Sequence, residues 1–276
     1  MKNMAIILFL LSITVCTCTV AFGAPPPRKG GGHGRSPAAA KEAAEAKEAN
    51  EKTKKKIARY LTDEGVSGQL TWKEYTMNPK AKGATTLLVV FGGRDSVKDG
   101  RSESKVPAAI EKAIFHAGQL LKSGKLVVLV PDMMVGEGRR GRGGRETPVS
   151  EGIPKLVRGR MEKHGVKAER TFVTGFSMGG ELVYKLLSDD PALFARALVV
   201  GAAGNTDATK DIKAEILAYH GADDDYIPAV RVKAFAESVN AKTPGRMRIE
   251  TLNKTGHAES ESAAYSKNDA WKWLFR

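Results

Sequence analysis

Short continuous apolar runs alternate along this chain with stretches in which apolar residues recur at helical spacing. Two of these runs, 85–91 and 125–131, are continuous in the way expected of strands buried on both faces. Further strands are predicted at 66–77, 171–174, 194–200, 214–220 and 246–252, and helices at 107–121, 149–164, 181–187, 230–239 and 262–276. Strands that alternate with helices predict an α/β fold, with a doubly wound, mostly parallel sheet and helices on both faces.

The first predicted strand differs from the others because its apolar and polar residues alternate, as in a strand with one buried face. Its inward-facing candidates are Leu70, Trp72 and Tyr75. The last predicted element, the helix at 262–276, is rich in aromatic residues and should close the domain against the sheet.

The N-terminus has the pattern of a secretory signal peptide. A short, weakly basic segment precedes an apolar run at 5–22, and small residues at positions −3 and −1 predict cleavage after Gly23. The run is also long enough for an uncleaved membrane anchor. Both cysteines, Cys16 and Cys18, lie inside it. We therefore expect an exported protein (periplasmic, secreted or at the cell surface) whose mature chain contains no thiol and no disulfide.

Composition changes again between the signal peptide and the first strand. Residues 24–34 are rich in Pro, Gly and Arg, which is typical of a flexible linker, and residues 37–60 are rich in Ala, Lys and Glu, which favours a helix. This helix has no apolar stripe before Ile57 and Leu61, so it is interpreted as a solvated stalk. The predicted organisation is a signal peptide at 1–23, a linker and stalk at 24–60, and a catalytic domain at 61–276.

The chain of 276 residues is 42% hydrophobic and 27% charged, which is ordinary for a globular protein, but its formal charge is +13. One cluster of positive charge ends the stalk at 52–59. It could contact a polyanion or an anionic cell surface, or simply belong to a spacer. A second cluster, Arg139–Arg145, lies in a glycine-rich loop. It could favour acidic substrates at the active-site mouth, or be a solvated loop. It has no interleaved aromatic residues, so no nucleic-acid partner is expected.

The first candidate catalytic motif is G-x-S-x-G at 175–179. An apolar strand leads into it and a helical pattern follows, which is the context of a nucleophile elbow, where a serine stands at the tip of a sharp turn. Downstream, 220–228 reads His-Gly-Ala-Asp-Asp-Asp-Tyr-Ile-Pro, and Gly256-His257 follows the last predicted strand. Together these motifs resemble the α/β-hydrolase superfamily, in particular its branch of dienelactone hydrolases, phospholipase/carboxylesterases and polyhydroxybutyrate depolymerase-like esterases. The resemblance covers about 85–276.

This resemblance implies a role for each motif residue. Ser177 would be the nucleophile and His257 the base. The acid would be Asp224, with a shift of one residue moving that role to Asp223 or Asp225.

The resemblance also implies two backbone N–H groups that bind the oxyanion. Met178, which follows the nucleophile, would supply one. Gly93, or Arg94 if the loop is offset by one residue, would supply the other. Many relatives have His-Gly after the corresponding strand, whereas this chain has Phe91-Gly92.

No cofactor and no metal are expected. The chain has no H-E-x-x-H spacing, and its cysteines lie in the segment predicted to be removed. His33, His116 and His164 lack a catalytic context, and His220 is interpreted as structural.

The resulting expectation is an exported serine hydrolase that cleaves carboxylic esters through a Ser-His-Asp triad and an acyl-enzyme. Short acyl or polyester-like substrates fit the family branch. Three alternatives use the same scaffold: an acyltransferase, a thioesterase, or a non-catalytic surface-binding protein.

Overall fold

The computed structural model describes residues 37–67, 70–96, 107–117, 124–132, 152–209 and 211–276. The helices are α1 Pro37–Ala58, α2 Ala108–Lys112 (continued by a π-helical turn, Ala113–Ala117), α3 Ile153–His164, α4 Met178–Asp189, α5 Ala229–Lys242, α6 His257–Tyr265 and α7 Asn268–Leu274. The strands are β1 Leu61–Ser67, β2 Leu70–Met77, β3 Thr85–Phe91, β4 Lys125–Pro131, β5 Thr171–Phe176, β6 Arg196–Val200, β7 Glu215–Gly221 and β8 Met247–Leu252. Residues 44–276 form one compact unit.

The eight strands of the described residues form one sheet in the order β1-β2-β4-β3-β5-β6-β7-β8. Strand β2 runs antiparallel to β1 and to β4, and the other neighbouring strands are parallel. The predicted doubly wound, mostly parallel sheet is confirmed. Parallel strands all end at the same edge, so the loops after β3, β5, β7 and β8 meet there.

The core lies in two layers, one on each face of the sheet. Successive residues of β3 alternate between them: Leu87 and Val89 belong to one layer, Leu88 and Val90 to the other. Helices α3, α4 and α5 cover the first layer and α2, α6 and α7 the second. The continuous apolar runs of the sequence arise because the central strands are buried on both faces.

The prediction of a single strand at 66–77 is wrong, because two antiparallel strands, β1 and β2, occupy 61–77. The predicted inward residues Leu70, Trp72 and Tyr75 are all buried. Strand β1 lies at the sheet edge, has no buried residue and carries a register irregularity between Leu61 and Asp63. An edge strand exposed in this way needs no apolar alternation, so the sequence pattern missed it.

The closing helix predicted at 262–276 is also wrong, because two helices, α6 and α7, occupy 257–274. Helix α6 ends at Tyr265, and Lys267 is extended (φ −81°, ψ 110°). The Trp271 indole N–H donates to the Tyr265 carbonyl at 2.8 Å. This bond satisfies one of the carbonyls that a helix C-terminus leaves without a partner, which stabilises the break.

Helix α1 agrees with the helix-prone composition, but its C-terminal end is packed rather than solvated. Ile57 is only 3% exposed and belongs to the core. The Tyr60 ring meets the Phe115 ring edge-on at 6.1 Å, and Lys56 Nζ lies 3.5 Å from Glu111. The predicted signal peptide at 1–23, the predicted linker at 24–34 and the Arg139–Arg145 loop lie outside the described residues. No helix among the described residues is long and apolar enough to cross a membrane.

Candidate active site

Ser177 stands in the turn between β5 and α4. Its backbone has φ 53° and ψ −120°, a conformation that costs a non-glycine residue about 1–3 kcal/mol. The turn is fixed on both sides: the Ser177 N–H donates to the Val200 carbonyl at 2.9 Å, and the Glu181 N–H donates to the Ser177 carbonyl at 3.0 Å. The surrounding structure therefore holds the serine at the carboxyl edge of the sheet.

The two motif glycines allow the backbone to pack closely around Ser177. A Cβ on Gly175 would approach the Gly179 carbonyl oxygen to 2.5 Å. A Cβ on Gly179 would overlap the carbonyl oxygens of Phe91 and Gly92. The start of α4 is thus pressed against the end of β3, which only glycine permits at these two positions.

His257 is the first residue of α6 and contacts both other residues of the predicted triad. Its Nε2 lies 2.8 Å from Ser177 Oγ, and its Nδ1 lies 2.7 Å from Asp224 Oδ2. A carboxylate can only accept, so Nδ1 carries the proton and Nε2 is left to accept from the serine hydroxyl. The three side chains form one hydrogen-bonded chain.

Of the three consecutive aspartates, only Asp224 is buried; Asp223 and Asp225 are exposed. Its Oδ1 accepts backbone N–H groups from Tyr226 at 3.0 Å and from Ile227 at 2.8 Å. Oδ2 is therefore left to face His257, and the carboxylate is held in one orientation.

The two predicted oxyanion donors lie on neighbouring elements. The β3–β5 register pairs Phe91 with Gly175, so Gly93 follows beside the serine turn. Gly93 is buried, whereas Arg94 is exposed in a short 3₁₀ turn. Met178 is the first residue of α4, and an N–H at that position has no partner inside its own helix.

Two aromatic rings contact the imidazole of His257, and sequence reasoning missed both. Phe176 is buried, with its ring centroid 5.1 Å away and tilted by 34°. Tyr226 is 74% exposed, with its centroid 5.3 Å away and tilted by 36°. Both occupy x positions of their motifs, where the motif does not specify the residue type. The motifs therefore gave no reason to single them out.

His220 is buried beside the acid, and neither ring nitrogen has a hydrogen-bond partner among the described residues. Its Nδ1 lies 3.8 Å from Asp224 Oδ2, too far for a hydrogen bond. Burial lowers the pKa of His220 from its ordinary 6.5; Asp224 opposes this shift and His257 adds to it. The His220 ring therefore lies beside Asp224 without a hydrogen bond to it.

The remaining histidines do not join the site. His164 Nε2 lies 2.9 Å from Glu74 Oε1, in a buried polar cluster that includes Arg160. His33 and the side chain of His116 lie outside what the structure describes. Within the described residues there is no group of three acidic, His or Cys side chains that could hold a metal.

A cavity of about 760 Å³ lies apart from the triad, and none of Ser177, Asp224 and His257 lines it. It opens between α4, the loop after β6 and α5. Its lining residues are Glu181, Tyr184, Lys185, Ser188, Asp189, Ala203, Gly204, Asn205, Thr206, Ala208, Arg231 and Ala234.

The sheet order and a serine on a strained strand-to-helix turn are the features of an α/β-hydrolase. Residues 115–275 match the model of the dienelactone hydrolase family, and the chain belongs to that family. No curated protein sequence matches it.

Several solved structures have the same fold at low sequence identity. A thermostable esterase is 18% identical with a TM-score of 0.64; the match covers 79% of this chain but only 63% of that esterase. TT1662 from Thermus thermophilus is 14% identical with a TM-score of 0.58, and the match covers 78% and 98% of the two chains. The feruloyl esterase module from Clostridium thermocellum, complexed with sinapinate, is 12% identical with a TM-score of 0.56, over 78% and 88%. Peptidases also occur among the similar structures, including dipeptidyl peptidase 4 of Porphyromonas gingivalis, at 14% identity and a TM-score of 0.55, over 78% of this chain and 34% of that one.

Proposed function

We propose that this hydrolase is a serine esterase, with Ser177 as nucleophile, His257 as general base and acid, and Asp224 as the residue that orients His257. The observation that carries the proposal is the continuous hydrogen-bonded chain through these three side chains, which begins at the strained turn serine. The family membership and the esterases among the similar structures also support it.

In the proposed mechanism, Ser177 Oγ attacks the acyl carbon while Nε2 of His257 takes the hydroxyl proton. The tetrahedral intermediate collapses as the C–O bond to the alcohol breaks, and His257 returns the proton to the departing oxygen. Water then attacks the acyl-enzyme, with His257 again accepting and returning a proton, and releases the carboxylic acid. Asp224 keeps Nδ1 protonated and stabilises the imidazolium.

The negative charge of the tetrahedral intermediate would be bound by the backbone N–H groups of Met178 and Gly93. Each donor of this kind contributes roughly 3 kcal/mol to the stability of the transition state. Neither donor depends on its side chain, so the Phe91-Gly92 sequence found in place of His-Gly is compatible with the hole.

The experiment is labelling of the purified protein with a fluorophosphonate, compared with Ser177→Ala and with Ser262→Ala, which alters an exposed serine outside the triad. We expect the first substitution to abolish labelling and the second to leave it intact. No labelling at all would refute the esterase and favour a non-catalytic binding protein. Labelling that persists in Ser177→Ala would assign the reactive nucleophile to a different residue and refute the proposed triad.

A substrate panel then separates the reactions that this triad can perform. We expect p-nitrophenyl and hydroxycinnamoyl esters to be hydrolysed faster than matched thioesters and dipeptide amides. Adding alcohol or sugar acceptors tests acyl transfer. A product that carries the acyl group on the acceptor in preference to water would replace esterase by acyltransferase.

We also propose that the chain is exported, since 1–23 reads as a signal peptide. N-terminal sequencing of the protein from its native cell should then begin at Ala24; an intact Met1 would indicate an uncleaved segment. For the mature protein we propose that the basic end of α1 contacts an anionic surface, tested by binding to vesicles with and without anionic lipid.

A further inference from the structure

Exposed apolar side chains are few in the described part of the chain, and two of them lie within six residues after Asp224. Tyr226 is 74% exposed and Val230 is 70% exposed. The other two, Leu61 and Val66, belong to the edge strand β1. The Tyr226 ring also contacts His257, so an exposed aromatic ring lies beside the proposed reactive centre, where it can contact a bound ligand.

The backbone of Tyr226 is fixed by Asp224. Its own N–H donates to Asp224 Oδ1, and so does the N–H of the following residue, Ile227, which is 5% exposed. The ring rests against His257 at a centroid distance of 5.3 Å. The segment is therefore anchored, although its side chain faces solvent.

The chemistry of His257 determines which part of the substrate lies near this ring. In ester cleavage His257 must give its proton to the leaving oxygen, so the alcohol part of the substrate lies against the imidazole. The acyl oxygen is directed instead towards the backbone donors of Met178 and Gly93, on α4 and after β3. Two rings contact the imidazole, but Phe176 is buried and Tyr226 is exposed, so Tyr226 is the ring that an alcohol at the imidazole can reach from solvent.

We propose that Tyr226, extended by Val230, is the leaving-group site of this enzyme and selects esters of flat, apolar alcohols such as arylmethanols. This inference rests on the proposed esterase function. An aromatic ring provides a large apolar face and favours offset or edge contacts with a second ring, and Tyr loses little conformational freedom when it does so.

The test compares benzyl acetate with ethyl acetate, which share one acyl group and therefore one acyl-enzyme. Any difference between them belongs to acylation, the step in which the alcohol is still bound. We expect Tyr226→Ala to lower the ratio of the two kcat/KM values, benzyl over ethyl, by about three- to tenfold. Tyr226→Phe, which keeps the ring, should retain the wild-type ratio.

The ratio separates alcohol binding from any general effect on His257. Loss of the ring contact to the imidazole slows both esters equally and cancels in the ratio. Val230→Ala should lower the ratio by a smaller factor, whereas Val66→Ala, which shortens an equally exposed valine on β1, should not change it. Benzyl alcohol should inhibit ethyl acetate hydrolysis less in Tyr226→Ala than in wild type.

The outcomes distinguish the two proposals. An unchanged ratio in Tyr226→Ala, together with hydrolysis of ethyl acetate that depends on Ser177, refutes the leaving-group site and leaves the esterase standing. Absence of Ser177-dependent hydrolysis of both esters in wild type refutes the esterase, and the leaving-group site with it.

Discussion

Residues of the same type have different environments in the candidate site, as the three aspartates at 223–225 show. All three carry the same chemistry, but only Asp224 is buried, receives two backbone N–H groups and faces His257. Position in the loop, rather than residue type, separates the candidate acid from two exposed carboxylates.

A first prediction uses these neighbours as matched controls. Asp224→Asn should lower kcat on an ester substrate by about 10⁴-fold, because an amide favours the wrong tautomer of His257. Asp223→Asn and Asp225→Asn change exposed side chains and should stay within about threefold of wild type, as for ordinary surface substitutions. Steady-state kinetics of the three variants measures this, and a comparable loss in all three would contradict the assignment.

A second prediction concerns stability and pH at His220. In the unfolded chain this histidine gains a proton near its ordinary pKa of 6.5, whereas burial keeps it neutral in the folded protein to lower pH. Folding should therefore lose stability as pH falls below this value, and His220 should contribute nothing to the pH dependence above it. Melting temperatures at about pH 7.5 and about pH 5.5 should differ less in His220→Phe than in wild type. An identical difference would show that His220 does not titrate in this way.

Sequence predicted part of the site because some of its residues are constrained by motif spacing. Ser177, His257 and Asp224 occupy fixed places at the ends of strands, and the structure brings them together in the expected order. The ring contacts of Phe176 and Tyr226 with His257 depend on side-chain direction at variable motif positions. Spacing along the chain carries no information on that direction.

At the scale of elements, the junction of β3, β5 and α4 determines where Ser177 stands. The three pieces meet through backbone atoms at Gly175 and Gly179, with no room for a side chain between them. A change of a few tenths of an ångström here would move Ser177 relative to His257.

The third prediction compares two glycines of similar chemistry. Gly179→Ala should destabilise the protein by about 1–3 kcal/mol and lower esterase activity, because its Cβ overlaps the end of β3. Gly159→Ala, in the exposed interior of α3 with open space around it, should instead stabilise by about 0.5–1 kcal/mol. Urea unfolding of both variants measures these free energies. An unchanged free energy of unfolding in Gly179→Ala would mean that the end of β3 can move away from the added methyl group.

Strands and helices could be predicted where their burial produces a recognisable pattern of apolar residues in the sequence. Strands β3 and β4 have the bounds that their continuous apolar runs predict, 85–91 and 125–131. Strand β1 was missed because it is polar and exposed. The break between α6 and α7 lies at a polar stretch, 266–269, which reads Ser-Lys-Asn-Asp. Four polar residues also fit the exposed face of one longer helix, so the sequence did not separate the two helices.

At the scale of the whole molecule, the described unit 44–276 includes the end of the segment that composition describes as a stalk. Ile57 lies in the core, and the Tyr60 carbonyl accepts the Thr76 N–H at 2.8 Å. The helix end is therefore part of the folded unit rather than an appendage to it.

A fourth prediction follows for truncations. A chain beginning at Ala44 should keep the melting temperature of the mature protein, whereas one beginning at Leu61 should melt lower. The second deletion removes a buried isoleucine, and loss of such a side chain costs about 2–5 kcal/mol. Ile57→Ala in the longer chain should reproduce most of the loss; equal stability of the two truncations would show that the helix end is dispensable.

The polar edge strand β1 also affects how copies of this protein behave at high concentration. A second molecule that added its own strand there would have to match the irregular register beside Asp63 and cover the exposed Glu64. Charged and irregular edges of this kind discourage growth of a sheet from one molecule into the next. The polar residues of β1, which left no apolar pattern in the sequence, thus protect the folded chain against aggregation through the β1 edge of the sheet.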